Sequence, residues 1–149
     1  MVHRIRLAMQ TGSFLKKMSG HVEADETYIG GKARNMHMSK RKYLGSRDTG
    51  KVAVMGLLER HGEVRTMIVP GTKRRMLQSE IRKHVEAGSS VYTDALRSYN
   101  DLDQHFIHSV INHAEKYVDG QVHTNGIENF WSLLKRTIKG TYVSVEPFM

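Results

Sequence analysis

The chain has 149 residues, 39% hydrophobic and 26% charged, which suits a globular protein with a core large enough to fold as one domain. Its 23 Lys and Arg against 15 Asp and Glu leave a net charge of +8, which favours a polyanionic partner. The absence of cysteine excludes a disulfide scaffold and a thiolate zinc site, and no stretch approaches the roughly 20 apolar residues of a membrane span. The first 20 residues lack the continuous apolar segment of a signal peptide, so a soluble, cytoplasmic protein without membrane contact is expected.

In chain order, residues 1–20 read as a short basic helical lead-in, with Ile5, Leu7, Ala8, Phe14 and Leu15 among cations. HVEADETYIGG, 21–31, is strand-like and ends in a glycine pair. Residues 31–51 have little apolar periodicity and carry a dense basic run that includes Lys40, Arg41 and Lys42, which reads as a loop. KVAVMGLLER and EVRTMIVP are two β-rich runs separated by His61-Gly62, the pattern of an antiparallel hairpin. MLQSEIRKHVEA, 76–87, has helical spacing with Met76, Leu77, Ile81 and Val85 inward. SSVYTDA follows as a buried strand, then a short helix around 95–103, a strand near FIHSVINH and a helix after Asn125.

Three strands, the second and third a hairpin, then helix, strand, short helix, strand, helix: this order describes an α/β mixed sheet flanked by helices, the arrangement of an RNase H-like fold. On that fold Asp25 sits in the first strand, Asp94 ends the strand VYTD and Glu128 opens the last helix, so three acids distant in sequence can converge on one crevice. Carboxylates held together repel unless a divalent cation neutralises them, and an all-oxygen set suits Mg2+ or Mn2+. Two such ions roughly 3.5 to 4 Å apart are the general apparatus for in-line attack on a phosphodiester.

VEADETYIGGK, VYTDALRSY and HTNGIENFWSLLKR, in this order, resemble the three signature blocks of the DDE transposases of bacterial insertion sequences. The nearest group carries an N-terminal zinc ribbon before an RNase H-like catalytic core. The 34 positions from Asp94 to Glu128 match that family's second interval, and Lys135, seven after Glu128, matches its basic residue two helical turns on. The resemblance implies Asp25, Asp94 and Glu128 as a catalytic set holding two Mg2+ or Mn2+ ions. It also implies DNA cleavage and strand transfer at transposon ends, an oligomer assembled on end and target DNA, and a place on the bacterial nucleoid. Lys135, Arg136, Lys40, Arg41, Lys42, Arg74 and Arg75 are the expected DNA contacts. Residues 21–149 would be the catalytic domain, without the zinc ribbon and truncated at the C-terminus relative to the family.

Plainer roles exist for the same residues. Asn125 and Glu128 have the layout of a capping box, and Asp94 can cap the segment that follows it. Glu26 must face away from Asp25 in a regular strand, and the choice of Asp25 rests on the family motif. Trp131, with Phe130 and Ile127, reads as core packing rather than a base-stacking platform. A non-catalytic DNA-binding remnant and an RNase H-like nuclease or resolvase are the alternative functions.

Overall fold

The computed structural model describes residues 16–30, 38, 51–94, 97–111 and 122–141. The expectations for residues 1–15 and for the basic loop, including Lys40, Arg41 and Lys42, lie outside these. Strands β1 (His21–Ile29), β2 (Val52–Glu59) and β3 (Val64–Val69) precede helix α1 (Arg74–His84). Strand β4 (Ser90–Asp94), two 3-10 turns (Arg97–Tyr99 and Leu102–Gln104), strand β5 (Ile107–Ile111) and helix α2 (Asn125–Thr141) complete the order. The five strands form one sheet in the order β3-β2-β1-β4-β5. β1–β2 and β2–β3 pair antiparallel, whereas β1–β4 and β4–β5 pair parallel. A mixed sheet with a central first strand and helices against its faces is the expected α/β, RNase H-like arrangement.

The alternation along the strands sorts side chains into two layers. Val22 and Ala24 of β1, Ala53, Met55 and Leu57 of β2, and Val91 of β4 face a core closed by Leu77 and Ile81 of α1, with Tyr99, Leu102 and Phe106. The opposite face carries a smaller cluster, Val54 with Ile127 and Trp131 of α2, flanked by Ile29, Leu58 and Phe130. Odd-numbered residues of β1 therefore look toward α2.

Local departures from the sequence reading have physical reasons. The α1 segment starts at Arg74 and stops at His84, because Val85 leaves the helix to form a parallel bridge with Met18. The expected short helix around 95–103 appears instead as two 3-10 turns, separated by Asp101 at φ 62. The β2–β3 hairpin turns at His61, which takes φ 64, a left-handed conformation that a tight turn between right-twisted strands requires.

Candidate active site

The parallel β1–β4 register runs to Glu23↔Tyr92, and Asp25 and Asp94 each stand two residues further along their strands. Equal offsets with period-2 alternation put both carboxylates on one sheet face, on strands about 4.8 Å apart. That face is the one α2 covers. Glu128, exposed in the first turn of α2, adds its charge to these surroundings. The consequence shows in Asp25, whose pKa is pushed up to about 6 by burial first, with the charges of Asp94 and Glu128 adding to the rise. Hydrogen bonds to Asp25, one from the Trp131 indole, oppose it.

The rest of α2 anchors this arrangement. Trp131 is buried, and its Nε1–H donates to Asp25 Oδ2 at 3.1 Å. The ring can lie so close to the sheet because Gly56 of β2, paired with Asp25 in the register, has no side chain. A Cβ there would stand 2.5 Å from Trp131 Cζ2 and 2.9 Å from Ile127 Cδ1. Trp131 is thus core packing, as expected, and also a hydrogen-bond donor to the strand acid.

At the start of α2, hydrogen bonds engage Thr124, Ile127 and Glu128. Asn125 is the first helical residue and is exposed, and the Thr124 hydroxyl donates to Glu128 Oε1 at 2.8 Å. The Ile127 N–H, which a capping side chain would ordinarily satisfy, instead donates to Glu23 Oε2 at 2.9 Å. The Ile127 N–H is thus capped from β1 rather than by a side chain of its own turn.

Glu26 points to the opposite face, as alternation requires, where the Tyr99 hydroxyl donates to its carboxylate. Burial pushes Glu26 up to about 7, with Asp94 and Asp25 contributing, and the Tyr99 bond pulls it partly back. Burial and the charge of Glu26 hold the Tyr99 phenol well above its usual range. Asp94 thus influences a carboxylate on each side of β1.

Among the expected cationic contacts, Lys135 and Arg136 are exposed on α2, and Lys135 lies about 10 Å along the axis from Glu128 on nearly the same face. Arg74 and Arg75 are exposed at the start of α1, near the end of β3 that is level with Ile29. Arg74 pairs with Asp101, and Arg75 lines a groove of about 470 Å³ with Ile68, Pro70, Met76 and Arg82.

Sequence reasoning passed over Glu23, Arg60, Tyr99 and the two glycines, Gly56 and Gly126. Glu23 shares the parity of Asp25, which is the signal that could have found it. A glycine inside a β-rich run and another in the first turn of a helix are also marks of close backbone approach.

Among the described residues, no three His, Asp or Glu side chains are gathered tightly enough to hold one ion. The donor set nonetheless fits a hard divalent cation in kind. All three acids offer oxygen only, and Asp25 is held up partly by the charges of the other two, which a cation would offset.

The model of the ISXO2-like transposase domain matches residues 17–148. An uncharacterized transposase-like protein of Haemophilus influenzae is 40% identical over 78 residues, which cover 52% of this chain and 63% of that protein. An uncharacterized protein in transposable element ISH50 of Halobacterium salinarum is 30% identical over 131 residues, covering 80% of this chain and 45% of the relative. The chain thus spans less than two thirds of the length of either relative. No solved structure matches it. With its sheet order and the match across nearly its whole length, the chain belongs to the ISXO2-like transposase domain family.

Proposed function

We propose that this chain is the catalytic core of an insertion-sequence transposase that cleaves DNA at transposon ends and joins the freed strand to a target. What supports the reading is that Asp25 and Asp94 share the sheet face that α2 covers, and that the charges of Asp94 and Glu128 both raise Asp25. Asp25 and Asp94 would hold and share two Mg2+ or Mn2+ ions, and Glu128 would complete the set for the second. Bound there, the ions would supply activation of the attacking hydroxyl and stabilisation of the leaving oxygen.

The chain's own groups prepare that site. Burial under Trp131 limits water around Asp25 and fixes one carboxylate oxygen through the indole N–H. The Thr124 hydroxyl donates to Glu128 Oε1 and restrains that carboxylate at the start of α2. Lys135 and Arg136, exposed beyond Glu128 on α2, would bind the phosphates of the transposon end, and Arg74 and Arg75 would extend the cationic track. The basic stretch with Lys40, Arg41 and Lys42 would add sequence-independent, salt-sensitive attraction. The partners are end and target DNA in the bacterial cytoplasm, bound by an oligomer.

The deciding experiment incubates the chain with a pre-cut transposon end and supercoiled plasmid in Mg2+ or Mn2+. Joined product supports the transposase reading. Nicking without joining would reduce the assignment to a nuclease, and binding without either reaction would reduce it to a DNA-binding remnant.

A further inference from the structure

Glu23 is 1% exposed, two residues before Asp25 on the same strand face, and no part of the proposed chemistry uses it. Its two oxygens are divided between two elements. Oε2 accepts the Ile127 N–H of α2 at 2.9 Å, and Oε1 accepts from Arg60 Nε at 2.8 Å. Arg60 continues the link: its Nη2 donates to the carbonyl of His123 at 2.8 Å, and its guanidinium lies 4.2 Å over the Tyr92 ring of β4. One carboxylate–guanidinium pair therefore grips α2 at its first turn and the segment just before it. Gly126 makes room for the grip, since a Cβ there would stand 2.8 Å from Glu23 Oε2.

We infer that Glu23, braced by Arg60, is a positioning residue that sets the height and register of α2 over β1, and so the placement of Glu128 and Trp131 against Asp25. The inference rests on the reading of Asp25, Asp94 and Glu128 as the ion-binding set. Glu23 and Asp25 are separated by one residue on a rigid central strand, and each makes a hydrogen bond to α2, at Ile127 and Trp131 respectively. Two attachments four residues apart on a helix fix both its rotation and its translation. A buried carboxylate with a charged partner is also a costly way to gain stability, because desolvation offsets most of the attraction.

Trp131 is the chain's only tryptophan, so its indole N–H gives a single side-chain resonance that reports the bond to Asp25 without any metal. The test records that resonance in the full chain and in Glu23→Gln, which keeps size and one acceptor but removes the charge that holds Arg60. The expected result is a shifted indole signal with faster exchange, together with a roughly 10-fold weaker affinity for Mn2+ by calorimetry. Ile81→Val, in the core on the other sheet face, lowers stability without touching α2 and should leave the resonance in place. An indole signal in Glu23→Gln that superposes on the parent's would overturn the inference. Should Glu23→Gln fail to fold, Arg60→Gln takes its place, since Arg60 reaches α2 through Glu23 and the His123 carbonyl. An unmoved indole there would be equally decisive. If the parent binds no divalent ion, the ion-binding reading fails alone, and the indole comparison still decides the positional one.

Discussion

Trp131 of the last helix donates its indole N–H to Asp25 of the first strand, 106 positions earlier, at 3.1 Å. The bond ties the half-buried Asp25 to the helix that carries the exposed Glu128. Trp131→Phe keeps an aromatic ring but removes the donor and part of the ring volume. It should destabilise the fold by about 1 to 3 kcal/mol in urea unfolding. Because that bond holds the Asp25 pKa down, its loss should move the carboxyl above its present value of about 6. Carbon-detected NMR of the Asp25 carboxyl checks the shift, and a lower value in the variant would contradict the bond.

Gly56 should resist substitution because of the same ring. A methyl group there meets Trp131 Cζ2 at 2.5 Å and Cη2 at 2.8 Å, inside a face with no slack. Gly56→Ala should cost about 1 to 3 kcal/mol by overpacking. The cost should shrink in the Trp131→Phe background, since phenylalanine lacks the outer ring that the methyl group strikes. A double-mutant cycle by denaturant unfolding measures this coupling, and strict additivity would mean that the crowding lies elsewhere.

The raised carboxylates set the pH dependence of the metal-free protein. Asp25 and Glu26 have folded values of about 6 and about 7, against 3.8 and 4.5 for ordinary carboxyls, so folding favours their protonated forms. Their contribution is fully present below the ordinary values and is lost as pH rises through about 6 and then about 7. In EDTA, Tm should therefore fall between acidic and mildly alkaline buffer, and Asp25→Asn should flatten the fall. Tyr99→Phe should push Glu26 higher still, because the phenol's hydrogen bond pulls that carboxyl down. A Tm that climbs steadily from pH 5 to pH 8 in EDTA would reverse the sign of this linkage.

The sheet was legible because its signals are local. Alternation in VEADETYI and KVAVMGLL, a hairpin at His61-Gly62 and helical spacing around Leu77 and Ile81 each act within one element, and each element formed. The opposition of Asp25 and Glu26 followed from the same alternation. What stayed hidden depends on pairs brought together by tertiary packing. That Ile127 is capped by Glu23 cannot be read from the residues around Ile127, where Asn125 looked sufficient. Nor does anything near Trp131 announce that a glycine on β2 lets its indole reach the strand acid. The clearest available hint was parity, which places Glu23 beside Asp25 on the face that α2 covers.

Chemistry and binding separate by charge at Asp94 and Lys135. Asp94→Asn keeps size and hydrogen-bonding capacity but removes a negative charge that raises both Asp25 and Glu26. Both carboxyls should therefore titrate lower in the variant. Divalent-ion affinity should fall and DNA cleavage should vanish, while DNA affinity should hold or rise because a repulsion with phosphate is gone. Lys135→Ala should do the reverse. Lys135 is exposed on α2 beyond Glu128, so its loss should leave ion binding intact, weaken DNA binding and flatten the salt slope by up to about one unit. Calorimetry with Mn2+ and salt-dependent DNA titrations read the two effects independently. An Asp94→Asn variant that cleaves DNA as the parent does would sink the two-metal mechanism and leave Asp94 with a structural role at the end of β4.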